Sequence, residues 1–257
     1  MIRIFNYVFT YSFRDFMKEV QVKDLFAHAA YVGHRRSKWN PKMKEYIFAE
    51  KDGIHVIDLE KTKLGLEKAA MFLKVAFETG KTVLCVGTKP QASLLVKDMA
   101  AKLNAPSVTS KWPAGFLTNW DVFALRVKYM KDLRTKRENG ELEARYTKKE
   151  IVNFDKEIKK LEDMFSGVET MDRLPDVLFV VDPFKEALSI KEAQKKKIPV
   201  VAIVDTNGNP DGIDYVIPAN DDAHQSLNFI LGYLTEACLN SGKPAQKSEV
   251  KMMNVAA

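Results

Sequence analysis

The sequence predicts an α/β fold: a mostly parallel sheet wound on both faces by helices, with one helical hairpin inserted into it. Three observations carry this. Short apolar runs, TVLCVG (82–87), DVLFVVD (176–182) and PVVAIVD (199–205), are continuous rather than alternating, as in strands covered on both faces. Segments with apolar residues at helical spacing separate strand from strand, the pattern of a parallel sheet. From Trp120 to Pro175 there is no strand-like run at all. Right-handed crossovers then leave a flavodoxin-like, doubly wound arrangement as the leading topology. The strandless stretch reads as an antiparallel coiled-coil hairpin.

The elements follow in order. Residues 1–16 form an N-terminal extension whose aromatics alternate, Phe5, Tyr7, Phe9, Tyr11 and Phe13. Period two suits a strand rather than an amphipathic targeting helix, and only Arg3 and Arg14 would serve an organellar presequence. The stretch reads either as a genuine extension or as sequence upstream of a start at Met17. A short helix is expected over 23–30, then a basic segment, then the strand IHVIDL (54–59). Leu66, Ala69, Ala70, Leu73 and Phe77 predict a helix over 63–79, with Gly80 at its C-terminal cap. Further helices are expected over 91–103, 184–197 and 222–239, and a strand over 214–218. In the insertion, Phe123, Val127 and Met130 face Phe154, Ile158, Leu161 and Phe165 across the turn Asn139-Gly140. The chain thus divides into one discontinuous α/β domain (17–119 and 175–240), a hairpin (120–174) and a polar, flexible tail (241–257).

Composition narrows the function. Of 257 residues, 46% are hydrophobic and 29% charged, ordinary for a globular chain that buries a sizeable core. No apolar run approaches the ~18 residues of a membrane span. Cys85 and Cys238 are the two cysteines; neither belongs to a CxxC or a zinc-spaced cluster, and the chain reads as intracellular and disulfide-free. No metal set and no cofactor are expected, since the four histidines are scattered. The net charge of +6 permits a nucleic-acid partner.

Charge is concentrated in HRRSKWNPKMK, where Arg35, Arg36, Lys38, Lys42 and Lys44 surround Trp39 and Asn40 without an acid between them. Cations neutralise phosphates, and an indole stacks on a base or sugar. SKWPAGFLTNW repeats the theme with Lys111, Trp112, Asn119 and Trp120, on a loop irregular through Pro113 and Gly115. VGTKPQ joins a strand to a helix and places Lys89 where a phosphate could lie, but it lacks GxxxxGK[ST] and GxGxxG. Asp182 and Asp205 end consecutive strands. They stand where open α/β sheets bind ligands, so a nucleotide- or phosphometabolite-binding enzyme is the alternative reading. Equally, each would cap the turn that follows it.

Four stretches, GHRRSKWNPKMKEYIFAEKDGIHVIDLEKT, VGTKPQA, KWPAGFLTNW and LPDVLFVVDPFKEALSIKEAQKKKIPVVAIVDTNGNPDGIDYVIPANDDAHQSL, resemble the S-two family of small-subunit ribosomal proteins in its bacterial-type form. The hairpin is similar to that of bacterial and organellar members. Where the family usually reads Arg-Trp-Leu-Gly-Gly, this chain has Lys111-Trp112-Pro113-Ala114-Gly115, so a change in loop path is expected from the lost glycine. The turn Asp205-Thr206-Asn207-Gly208-Asn209-Pro210 lacks the family's cysteine. The resemblance implies a structural, non-enzymatic ribosomal constituent. Such a protein contacts small-subunit rRNA and neighbouring ribosomal proteins, and helps seat the mRNA-binding ribosomal protein S-one. It implies a bacterial cytoplasmic ribosome, or an organellar one. The RNA contacts are then expected at Arg35, Arg36, Lys38, Trp39, Asn40, Lys42, Lys44, Lys89, Lys111, Trp112 and Asn119.

Overall fold

The computed structural model describes residues 19–239; the aromatic extension and the polar tail lie outside these residues. After α1 (Val22–Ala27) come β1 (Val32–Arg35), two 3-10 turns (Arg36–Lys38 and Pro41–Tyr46), β2 (Ile47–Lys51) and β3 (Ile54–Ile57). Then follow α2 (Leu59–Glu78), β4 (Val83–Val86), α3 (Pro90–Leu103) and β5 (Ser107–Val108). The strandless section holds α4 (Trp120–Glu138), α5 (Glu141–Arg145) and α6 (Lys148–Phe165). The chain closes with β6 (Val177–Val181), α7 (Ala187–Lys196), β7 (Val200–Val204), β8 (Tyr215–Pro218) and α8 (His224–Leu239).

Five strands form a parallel sheet in the order β5-β4-β6-β7-β8. Counted within that sheet alone, this is the 2-1-3-4-5 order of the flavodoxin-like arrangement, as expected. Alternate residues of each strand feed two separate cores. Val83, Cys85, Phe179, Val201, Ile203 and Ile217 pack with Leu66, Leu73, Val96, Leu227 and Ile230 of α2, α3 and α8. Leu84, Val86, Leu178, Val180, Ala202 and Val204 pack with Phe116, Phe123, Met130, Phe165 and Ile190 on the other face. This explains why the strand sequences read as unbroken apolar runs: both faces are covered.

IHVI is a strand, but not of that sheet. It sits between β1 and β2 in a separate antiparallel sheet of order β1-β3-β2. The turn joining β2 to β3 is Asp52-Gly53, both at positive φ (54° and 75°), the backbone of a tight hairpin turn. The strand ends before Asp58, whose carboxylate accepts from the Glu60 N–H at 3.0 Å and starts α2 early. At the far end Gly80 takes φ 68°, and the Lys81 N–H donates to Ala76 O at 2.9 Å, closing the helix as expected.

Helices α4 and α6 run antiparallel: the rings of Phe123 and Phe165 are 6.0 Å apart, while Arg137 reaches Asp155 further along. Their turn carries α5, packed through Leu142 in a small cluster with Leu133 and Ile158. The inner half of the pair belongs to the second core of the sheet, through Trp120, Phe123, Val127, Met130 and Phe165.

Candidate nucleic-acid interface

The basic segment is irregular, yet it is fixed to the sheet by backbone groups. The Asn40 N–H donates to Thr206 O at 2.8 Å, and the His34 N–H donates to Thr206 Oγ1 at 2.8 Å. Gly33 makes this approach possible, since a Cβ there would lie 2.6 Å from Thr206 Cγ2. Asn40 Oδ1 accepts the Lys42 N–H at 3.1 Å and starts the Pro41–Tyr46 turn, whose Met43 is fully buried in the second core. One anchor inside and two hydrogen bonds beneath leave the cations outside.

Arg35, Arg36, Ser37, Trp39, Asp52, Gly53 and Ile54 line an open concavity of about 690 Å³. Arg35, Arg36, Lys38, Lys42 and Lys44 are exposed; Trp39 and Asn40 are half-buried. The indole of Trp39 leans on the His55 ring, centroids 4.9 Å apart. His55 is buried, and neither of its ring nitrogens has a hydrogen-bond partner among the described residues. Arg36 lies 3.5 Å from Glu50, an exposed pair that contributes little to stability. Lys42 is held against Asp211 and so offers less free charge than its neighbours.

Two sequence-predicted contacts point inward. Trp112 is 7% exposed and donates its indole N–H to Glu192 at 3.2 Å, so it has no face for a base to stack on. Glu192, itself buried, also accepts the N–H groups of Gly115, Leu117 and Thr118 at 2.8, 2.9 and 3.3 Å. Sequence reasoning missed Glu192 because it sits in KEAQKKK and looks like one more surface charge. Gly115 takes φ 87°, whereas Ala114 is not among the residues at positive φ. The glycine the loop needs is therefore present, and Ala114 strains nothing. Lys111 and Asn119 remain exposed at the two ends of this loop.

Lys89 is the second. It was expected near a phosphate, but its ammonium lies 2.6 Å from Asp221, 2.6 Å from Asp222 and 3.4 Å from Asp182. Burial opposes its charge, yet hydrogen bonds to Asp221 and Asp222 outweigh this and hold its pKa above the ordinary value. Burial, reinforced by Asp205 and Asp182, pushes Asp221 up to about 7. Asp182 caps the next turn by accepting the N–H groups of Phe184 and Lys185 at 3.1 and 3.2 Å. Asp205 accepts from Thr206 N–H and Oγ1 and lies 3.1 Å from His34 Nδ1. The crevice at the β4–β6 switch point, where this topology binds ligands, is filled by the chain's own lysine and acids. The capping reading holds for Asp182, whereas the Asp205 carboxylate ties Thr206, His34 and the Asp221 N–H together instead of capping the turn after it; the nucleotide-enzyme alternative loses its site.

A family model described as Ribosomal protein S2 matches residues 25–241. The chain is similar to the small ribosomal subunit protein uS2 of Roseiflexus sp. (strain RS-1), 46% identical over 220 residues, covering 86% of this chain and 84% of the relative. The uS2 protein of Coprothermobacter proteolyticus is 44% identical over 230 residues, 90% of this chain and 85% of the relative. That of Chloroflexus aurantiacus is 41% identical over 230 residues, 90% and 96%. A carboxyl-end crevice closed by Lys89, a basic segment pinned to Thr206, and matches of this length have one conclusion: the chain belongs to the ribosomal protein S2 family.

Proposed function

We propose that the chain is a structural constituent of the small ribosomal subunit that holds small-subunit rRNA through the segment Arg35–Lys44. The observation that carries this is the exposed cationic concavity around Arg35, Arg36 and Trp39, set on a rigid sheet by the Thr206 hydrogen bonds. Cations supply phosphate affinity, and Trp39 supplies a surface for stacking. Lys38, Asn40, Lys44, Lys111 and Asn119 complete the proposed RNA-facing set, with Lys42 in a lesser role. The chemistry is that of a scaffold: no bond is made or broken. Neighbouring ribosomal proteins are further partners, and the family resemblance supports seating S-one among them. The bacterial relatives support a bacterial cytoplasmic setting.

The test is sedimentation of source-cell lysate through sucrose at low and high salt, following this chain. Comigration with the small subunit, lost under stringent salt, is the expected result. A free, light fraction at both salts, beside subunits that lack the chain, overturns the proposal.

A further inference from the structure

We infer that the inserted helices carry a second RNA-backbone site, which shares Lys111 with the RNA-facing set above and is formed where the Ser110-Lys111 loop meets α6. Lys111, Lys156, Lys159 and Lys160 converge there on an open concavity of about 400 Å³. Positions 156, 159 and 160 lie on one face of α6, because residues three and four apart are helical neighbours. The loop is fixed to the helix, with Ser110 Oγ donating to Asp163 O at 2.7 Å. Lys111, on a different segment of chain, is thereby held beside the three helical lysines.

Charge is left unbalanced on this face, unlike at the outer end of α4. Arg134 makes a two-pronged bond to Glu169, both at 3.0 Å. Lys136 lies 2.7 Å from Asp132, and Arg137 2.6 Å from Asp155. None of the four converging lysines forms an ion pair or side-chain hydrogen bond among the described residues, and Asp163 is the one acid in the concavity. Several unopposed ammonium groups on a shallow surface cost self-repulsion, which closely spaced phosphates relieve. The openness and the absence of a stacking aromatic suit a duplex backbone rather than an extruded base. This inference rests on the ribosomal reading and adds a second point of attachment to it, one that fixes the direction of the helical pair on the RNA.

The experiment measures binding of the full chain to transcribed small-subunit rRNA across a potassium chloride series. The variants are the triple substitution Lys156→Ala, Lys159→Ala, Lys160→Ala; the same three positions changed to Arg; and Arg35→Ala with Arg36→Ala. The triple alanine variant is expected to flatten the slope of log K against log salt by about two to three, and the arginine variant to keep it. An unchanged slope in the triple alanine variant, beside a reduced one in Arg35→Ala/Arg36→Ala, overturns this site and leaves the proposed function standing. Unchanged slopes in both overturn the two together. A triple alanine variant that keeps its slope but no longer enters subunits points to an acidic protein partner and also overturns the inference. A second readout does not depend on affinity: Cys85 and Cys238 are both buried, so Lys159→Cys offers one reactive thiol for a tethered iron chelate. Cleavage of the rRNA backbone from that position is expected; cleavage no stronger than from untethered chelate overturns the site.

Discussion

The buried carboxylate of Glu192 on α7 accepts the indole N–H of Trp112 at 3.2 Å, and the loop after Trp112 wraps the same carboxylate with three backbone N–H groups. One acid thus organises a loop that lies more than seventy residues earlier in the chain. It explains how a stretch with proline, alanine and glycine in sequence holds one path and presents Lys111 and Asn119 at its ends.

Glu192→Ala leaves those four donors without an acceptor. Hydrogen bonds to a charged group contribute about 1.5–3 kcal/mol each, and buried orphans are costly. Shared among four non-additive bonds, a loss of roughly 3 kcal/mol or more is expected. Glu192→Gln keeps one acceptor oxygen but turns an amide toward two N–H groups, so an intermediate loss is expected. Urea unfolding followed by tryptophan fluorescence reads both. Equal stability of wild type and Glu192→Ala would show that the loop is held by something else.

The acids at the strand ends give a pH dependence whose sign can be worked out. Asp221 has a folded pKa of about 7, raised chiefly by burial. Between its ordinary value and about 7 the folded chain binds a proton that the unfolded chain does not, so this group adds stability as pH falls through that window. His34 is raised, first by the Asp205 carboxylate that lies 3.1 Å from its Nδ1. Its contribution is full below the ordinary histidine value and is lost as pH rises through the folded one. Both act in the same direction, so stability is expected to increase from pH 8 to pH 6, by at most about 1.4 kcal/mol per pH unit for each group. Asp221→Asn should flatten the profile. A profile that falls on acidification, or one the variant leaves unaltered, contradicts this account.

Lys89→Met tests whether that lysine is structural. Removing it leaves Asp182 and Asp221 buried without their cation, at a cost of about 3–5 kcal/mol near neutral pH. Part of that loss should return in the double variant with Asp221→Asn. If Lys89 instead served RNA, the single variant would lower rRNA affinity at unchanged unfolding midpoint.

The cations of the basic segment are not equivalent. Arg35→Ala with Arg36→Ala should lower the salt slope of rRNA binding by roughly 1.5 to 2, as two lost phosphate contacts require. Lys44→Ala should lower it by up to about one. Lys42→Ala should do less, because Lys42 already faces Asp211. Equal effects at positions 42 and 44 would show that the Asp211 pair opens on binding.

Much of this was legible in the sequence, for reasons that can be named. Runs such as VLFVV announce a strand covered on both faces, because coverage dictates composition directly. The seam of Phe123, Val127, Met130, Ile158 and Phe165 was visible because helix packing imposes spacing. The antiparallel sheet was hidden: β1 and β3 are four residues each with irregular register, although Asp52-Gly53 was a readable hairpin signal. Trp39 and Trp112 look alike in sequence, each beside a lysine, yet one leans on a rim and the other donates to a buried acid. Only tertiary neighbours separate them. Lys89 and Glu192 were misread or missed for the same reason, since long-range partners decide whether a charge is surface or scaffold.

The seat of the basic segment can be tested without touching a charge. A Cβ on Gly33 would meet Thr206 Cγ2 at 2.6 Å and the His55 carbonyl oxygen at 2.9 Å, so Gly33→Ala must push β1 away from the loop after β7. Overpacking of this kind costs about 1–3 kcal/mol. The displacement also loosens the His34 and Asn40 bonds to Thr206, so rRNA affinity should drop although every arginine and lysine is intact. Thr206→Ala removes the methyl that clashes, together with the hydroxyl that accepts the His34 N–H, and alone should cost about 1 kcal/mol. In the double variant the methyl clash is gone while the His55 contact remains, so the combined loss should be smaller than the two single losses added. Strict additivity would mean that Gly33 and Thr206 do not press on one another. The cationic segment would then owe its position to the buried Met43 instead.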